Sequence, residues 1–223
     1  PGPVSLLGSS VATATDVVDV ICDHPACPAW ITAKVYRFFV GEPPAPDVAD
    51  GLARRFRATG LEIGPLVDDV LHRPEFVDER TSRPRYPVEW TVAAAAAFGA
   101  LGDTTAMLDA CTELNQTPYR PPNVAGWPPG NRWLSASYAL SRAALALQGS
   151  QVAGAPGVTA VSRAADPVAA ALARCSLYHP SHGTRAAMDQ AWSALVDATD
   201  VDDHDRAATL LGLAVNSPEF SVA

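Results

Sequence analysis

Apolar residues recur along this chain at helical spacing, and Gly, Pro, Asp or Asn interrupts the runs between them. The pattern predicts an all-α protein: an irregular multi-helix bundle with short connections and one long ordered loop. A first helix is expected over Ala14–Cys22 and a second over Ala26–Val40, with Ile31, Val35, Phe38 and Phe39 facing inward. Gly41 and the Pro43-Pro44 pair stop the second, because a glycine closes the last turn and proline cannot extend it. A third runs from Pro46 to about Thr59, with Val48, Leu52 and Phe56 on one face, and a fourth covers Pro65–His72. Pro87 opens the next, which continues through the Ala93–Ala97 run to about Leu101. Thr104–Asn115 follows, with Met107, Leu108, Cys111 and Leu114 inward. Ser135 is placed to cap a helix carrying Tyr138, Leu140, Leu145 and Leu147. Three more helices are expected near 167–177, 184–198 and 204–215. No stretch alternates with the period of two that a half-buried strand requires.

The loop, residues 116–134 within QTPYRPPNVAGWPPGNRWLSASYALSR, is unlike a linker. Linkers are polar and flexible, whereas this segment holds Tyr119, Trp127 and Trp133, side chains that gain by burial. Its prolines fix φ and remove donors, so it should follow one defined path. Gly126, Trp127 and Trp133 form a candidate loop and aromatic site. Two readings stand side by side. In one, the loop is a self-satisfied plug anchored by Trp127; in the other, Asn123 and exposed amides make a small polar pocket. The expected organisation is a main helical domain over 1–148, a linker or irregular segment over 149–166, and a C-terminal helical segment, 167–223, packed on the main domain. An internal echo joins VLHRPEF at 70–76 to AVNSPEF at 214–220; each ends an apolar helix with a Pro-Glu-Phe step.

Composition narrows the function classes. With 48% hydrophobic and 18% charged residues, the 223-residue chain can build a substantial core. A net charge of −8 with scattered Lys and Arg gives no basic stripe for nucleic acid. No apolar run approaches the ~20 residues that span a bilayer. The chain opens with Pro rather than Met, which reads as a processed product or an excerpt. Cys22 and Cys27 suit a local disulfide or two thiols better than a metal site, since zinc needs four ligands and no second pair follows at matching spacing.

The candidate polar cluster is Lys34, Arg37, Glu89, Asn123 and Arg142. Lys34 and Arg37 share a helix face with Trp30 next to the apolar face, so both are expected to be at least half buried and in need of anions. Glu89, in the first turn behind Pro87, is the favoured partner, either as a docking bridge or beside a bound substrate. Arg132 and Arg142 could close the loop through its carbonyls. His179, His182 and the Asp202–Asp205 run read as helix caps and surface rather than metal ligands. No nucleophile elbow, phosphate loop, dinucleotide fingerprint or zinc-protease motif appears, so no cofactor or metal is expected.

Several segments, in order, resemble the C-terminal half of the bacterial domain-of-unknown-function 1800 family. They are HPACPAWITAKVYRFFVGEPP at 24–44, LHRPEF at 71–76, RPRYPVEWTVAAAAAFGALG at 83–102, LNQTPYRPPNVAGWPPGNRWLSASYALSR at 114–142 and NSPEF at 216–220. The most specific is PPNVAGWPPGNRWL. The resemblance implies an exported or cell-envelope protein, members commonly about twice this long, and a neighbouring partner family similar to sulfatases. It implies no established activity. Three functions are compatible: an assembly or interaction module, a hydrolase-like enzyme with a site near the 116–134 loop, and a small-molecule or glycan binder using the loop aromatics.

Overall fold

A computed structural model of the chain describes residues 2–78, 82–152 and 154–222. Two compact units divide the chain between Arg83 and Pro84, not at the expected linker 149–166. The helices predicted from periodicity are all present, most within one to three residues of the expected ends.

The first unit opens with a hairpin that sequence reading did not anticipate, β1 (Val4–Leu6) paired antiparallel with β2 (Ser9–Val11). Its two-residue turn holds Leu7 at φ 50° and Gly8 at φ 84°, a geometry that matches strand twist but that leucine seldom signals. Three-residue strands are also too short to show alternation. Helix α1 (Ala14–Asp23) begins at a reciprocal capping box between Thr13 and Asp16. Helix α2 (Cys27–Val40) packs on α3 (Pro46–Ala58) and α4 (Ile63–Leu71); a one-turn α5 (Pro74–Val77) follows. The core of this unit is Tyr36, Val40, Leu52, Phe56, Leu66 and Val70.

The inner face of α2 is rotated from the expected one. Pro28, Thr32, Tyr36 and Val40 are buried, Ile31, Val35 and Phe39 flank them, and Phe38 is exposed beneath the Arg83 guanidinium. Thr32 and Tyr36 carry polar atoms, so a pattern reader assigns them outward although their bodies are mostly apolar.

The second unit comprises α6 (Pro87–Phe98), α7 (Thr104–Glu113), α8 (Ala136–Ser150), α9 (Pro156–Ser162), α10 (Pro167–Arg174), α11 (His182–Asp197) and α12 (Asp203–Val215). Helix α12 lies at the centre, packed on α8, α9, α10 and α11, and its Leu210, Leu211, Ala214 and Val215 are fully buried. The expected linker is corrected here: it contains α9, and Val158 and Val161 of that helix are fully buried. The Gly and Pro that suggested a flexible join serve packing. A Cβ on Gly157 would run into the Ala97 carbonyl oxygen and the Phe98 backbone, so only glycine lets α9 cross α6 this closely.

The ends of this unit are stitched together. Pro84 and Val222 form an isolated antiparallel bridge, Arg85 N–H donates to the Ser221 carbonyl at 3.0 Å, and the Arg85 guanidinium lies 4.7 Å from the Phe220 ring centroid.

Candidate functional site

In the first unit, Lys34 and Arg37 are exposed, correcting the half-buried expectation. The rotation of α2 sends the Trp30–Lys34–Arg37 face to solvent; Trp30 is 59% exposed and Lys34 Nζ sits 4.0 Å over its ring centroid. The ammonium therefore has a cation–π partner and water. Cys22 and Cys27 are thiols in half-buried positions. Burial, then the neighbouring Cys22, pushes the Cys27 thiol above its ordinary range.

In the second unit, Glu89 stands in the first turn of α6 and is half buried, with its Oε2 accepting from Tyr86 N–H at 2.9 Å. This is the capping position that its spacing behind Pro87 creates. Asn123 is exposed; its Oδ1 accepts from Ala125 N–H at 2.8 Å and its carbonyl accepts from Gly126 N–H at 3.1 Å. The side chain is thus engaged within its own turn, which Gly126 at φ 86° completes.

The loop is tied to the helices on both sides by residues that sequence reading partly missed. Gln116, buried, accepts from Val88 N–H through Oε1 at 2.9 Å, which fastens the loop's first residue to the start of α6. Trp133, 1% exposed, lies 6.1 Å from Tyr86 and 5.2 Å from Tyr138 between ring centroids. A 3-10 turn over Gly130–Leu134 delivers it. Trp127 is only half buried, so Trp133, not Trp127, is the anchor. Tyr119 at 98% exposure and Val124 stand in solvent. Ser135 takes the N-cap place before α8, but its Oγ meets Ser137 Oγ rather than a backbone amide.

Arg142 is the most unusual member of the cluster. It is 4% exposed, donates from Nη2 to the Arg85 carbonyl at 2.9 Å, and its guanidinium lies 5.7 Å from the Trp90 ring centroid. Among the described residues its Nε has no hydrogen-bond partner, nor do the indole N–H groups of Trp90 and Trp133. Desolvation by burial pulls its pKa below the ordinary arginine value. Arg132 is exposed.

Helix α8 places its one charged residue on the inside. Its buried stripe is Arg142, Ala146 and Ser150, at i, i+4 and i+8, while Leu140 and Leu147 are 76% and 57% exposed. Of the four large side chains named for this helix, Tyr138 and Leu145 are half buried while Leu140 and Leu147 face solvent. Close approach explains the choice: a Cβ on Gly149 would press into the Phe98 ring, and Ser150 lies beside Gly212 of α12. Small residues let the backbones meet there, which turns the leucines outward.

Among the described residues no group of three or more His, Cys, Asp or Glu side chains could hold a metal ion, and no helix is long and apolar enough to cross a membrane. Asp202 caps α12 through Asp205 N–H.

The architecture defines an all-α protein with two separate cores and an ordered aromatic loop in the second. The family described as a protein of unknown function (DUF1800) matches residues 1–222, so the chain belongs to that family. No curated protein and no solved structure matches it.

Proposed function

We propose that this chain is an assembly module, and that the outer face of α8 receives the apolar helical face of another polypeptide. The single observation behind this reading is the reversed polarity of α8. Ala136, Leu140, Ala143 and Leu147, at i, i+4, i+7 and i+11, are all exposed, while Arg142 is buried. An outward stripe of this kind gains free energy when covered, by roughly 1.5–3 kcal/mol per fully buried leucine. The stripe is uncharged on a chain of net charge −8, so the complementary partner has an apolar centre and a Lys- or Arg-bearing rim. The family resemblance supplies two candidates, the N-terminal part of a family-length chain and a sulfatase-like neighbour, and it points to an exported or envelope setting. The first candidate is the one proposed.

The test is co-expression of this chain with the N-terminal part of a longer family member, followed by size-exclusion chromatography. A one-to-one complex that Leu140→Glu plus Leu147→Glu abolishes, with the variant's own melting temperature unchanged, is the expected result. No complex, or a complex indifferent to both substitutions, overturns the proposal. Capture of the sulfatase-like neighbour instead would transfer the face to that partner.

A further inference from the structure

A cleft of about 570 Å³ opens between α6 and α7, closed at one side by the end of α8 and the start of α9. It lies on the inner side of α8, where Leu145 and Gly149 contribute, and is independent of the outward Leu140–Leu147 face. Its walls are mostly apolar, with Trp90, Ala94, Phe98, Met107 and Leu145 beside the polar Thr91 and Gln148. Alanines and glycines on α6, α7 and the α8–α9 connection keep the helices from filling the space. Methionine at position 107 supplies an adaptable wall. The volume falls within the range that holds drug-sized ligands, roughly 300–1,000 Å³.

One charge decides what fits. Asp103 is the only ionisable side chain among the described residues on the wall, and no Lys, Arg or His accompanies it. Asp103 is exposed at the rim; its Oδ1 caps α7 by accepting from Ala106 N–H at 2.9 Å, and its Oδ2 accepts no hydrogen bond among the described residues. Two helices end at this wall, α6 and α8, and two begin, α7 and α9, so their dipoles oppose one another and the carboxylate sets the local sign. A carboxylic or phosphate head would enter without a counter-charge and beside a like charge. An ammonium head would meet Asp103 while its hydrocarbon body displaces water from the apolar walls.

We infer that this cleft is a binding site for an apolar amine, a hydrocarbon chain or ring system carrying a protonated amino group that pairs with Asp103. The experiment titrates the full 223-residue chain with dodecylamine, dodecanol and dodecanoate, the ionic two below their micellar concentrations and the alcohol below its solubility limit, by isothermal calorimetry. The expected result is one site per chain for dodecylamine, with dodecanol about ten-fold weaker and dodecanoate weaker still. Asp103→Asn keeps the helix cap, since asparagine caps as well as aspartate, and is expected to bring the amine down to the alcohol. Ala106→Trp places an indole at an exposed lining position and is expected to abolish binding of all three. Absence of binding by the wild type, an acid that binds as tightly as the amine, or an amine preference that survives Asp103→Asn overturns the inference. So does a concentration-dependent dimer lost in Ala106→Trp, which would make a second copy the occupant.

Discussion

Arg142 carries a guanidinium into the interior with a backbone carbonyl and an indole face as its partners. A buried cation paired with no carboxylate among the described residues owes much of its place to its hydrocarbon stem. Arg142→Met, which keeps that stem and removes the desolvated charge, is expected to unfold within about 1 kcal/mol of wild type, whereas Arg142→Ala should cost about 2–3 kcal/mol. Urea denaturation of both variants separates packing from charge. Glu219 is the opposite case, a carboxylate held ionised. Burial by itself would raise its pKa, but hydrogen bonds from Ser181 and Thr184 outweigh that and take it from 4.5 to about 2. Because the folded value lies below the unfolded one, the stabilisation is present above pH 4.5 and fades as pH falls toward 2. Glu219→Gln should therefore lower stability near neutrality by roughly 2 kcal/mol. Urea titrations across that range should show the gap to wild type closing toward pH 2. The buried Cys175 thiol is pushed up to about 12 by desolvation, so iodoacetamide should leave it unmodified in the native chain at pH 8.

At the scale of elements, ten of the twelve α-helices among the described residues, all but α5 and α9, and most boundaries were legible because proline at first turns and glycine after last turns leave clear marks. Pro46, Pro87 and Pro167 each stand at the first position of their helix, and Gly41 and Gly99 follow theirs at positive φ. The facing of the helices was less legible. Helix α8 mixes alanine, leucine and serine around its circumference, so its periodicity does not point to one inner face, and small residues rather than large ones chose it. The α9 segment misled for the same reason, since Gly157 marks a tight crossing rather than a hinge. Gly157→Ala should consequently cost about 2–4 kcal/mol, with near-ultraviolet circular dichroism reporting lost packing. Gly154→Ala is not a comparable control, because Gly154 sits at φ 71°. Gly183→Ala has open room and should change little. Of the candidate site, the residue types were legible, whereas the local hydrogen bonds they make were not. Asn123 accepts from Ala125 N–H and Glu89 from Tyr86 N–H, and such short-range engagement within a turn is not marked in a pattern of charges and spacings.

At the scale of the whole molecule, the two hydrophobic cores share no residue. Each unit therefore meets the requirement for its own cooperative transition, and residues 84–223 expressed without the first unit are expected to melt in a single sigmoid. A broad, featureless melt for that fragment would show that the second core depends on the first. The Pro-Glu-Phe echo acquires a structural place here, because one copy follows the last long helix of each unit. The two copies are not used alike: Phe220 is buried, Phe76 is 38% exposed, and Glu75 pairs with Arg73 while Glu219 serves Ser181 and Thr184.

The bridge between Pro84 and Val222 has a consequence for how the second unit can be threaded. Its start and finish already lie side by side, so the backbone is close to a closed ring that happens to be cut there. A short glycine-serine connection across that cut, with a new opening at the solvent-exposed Val124, yields a circular permutant with the same neighbours in a different chain order. Such a permutant that folds would show that α6 through α12 are held by their contacts and not by the direction in which the chain visits them.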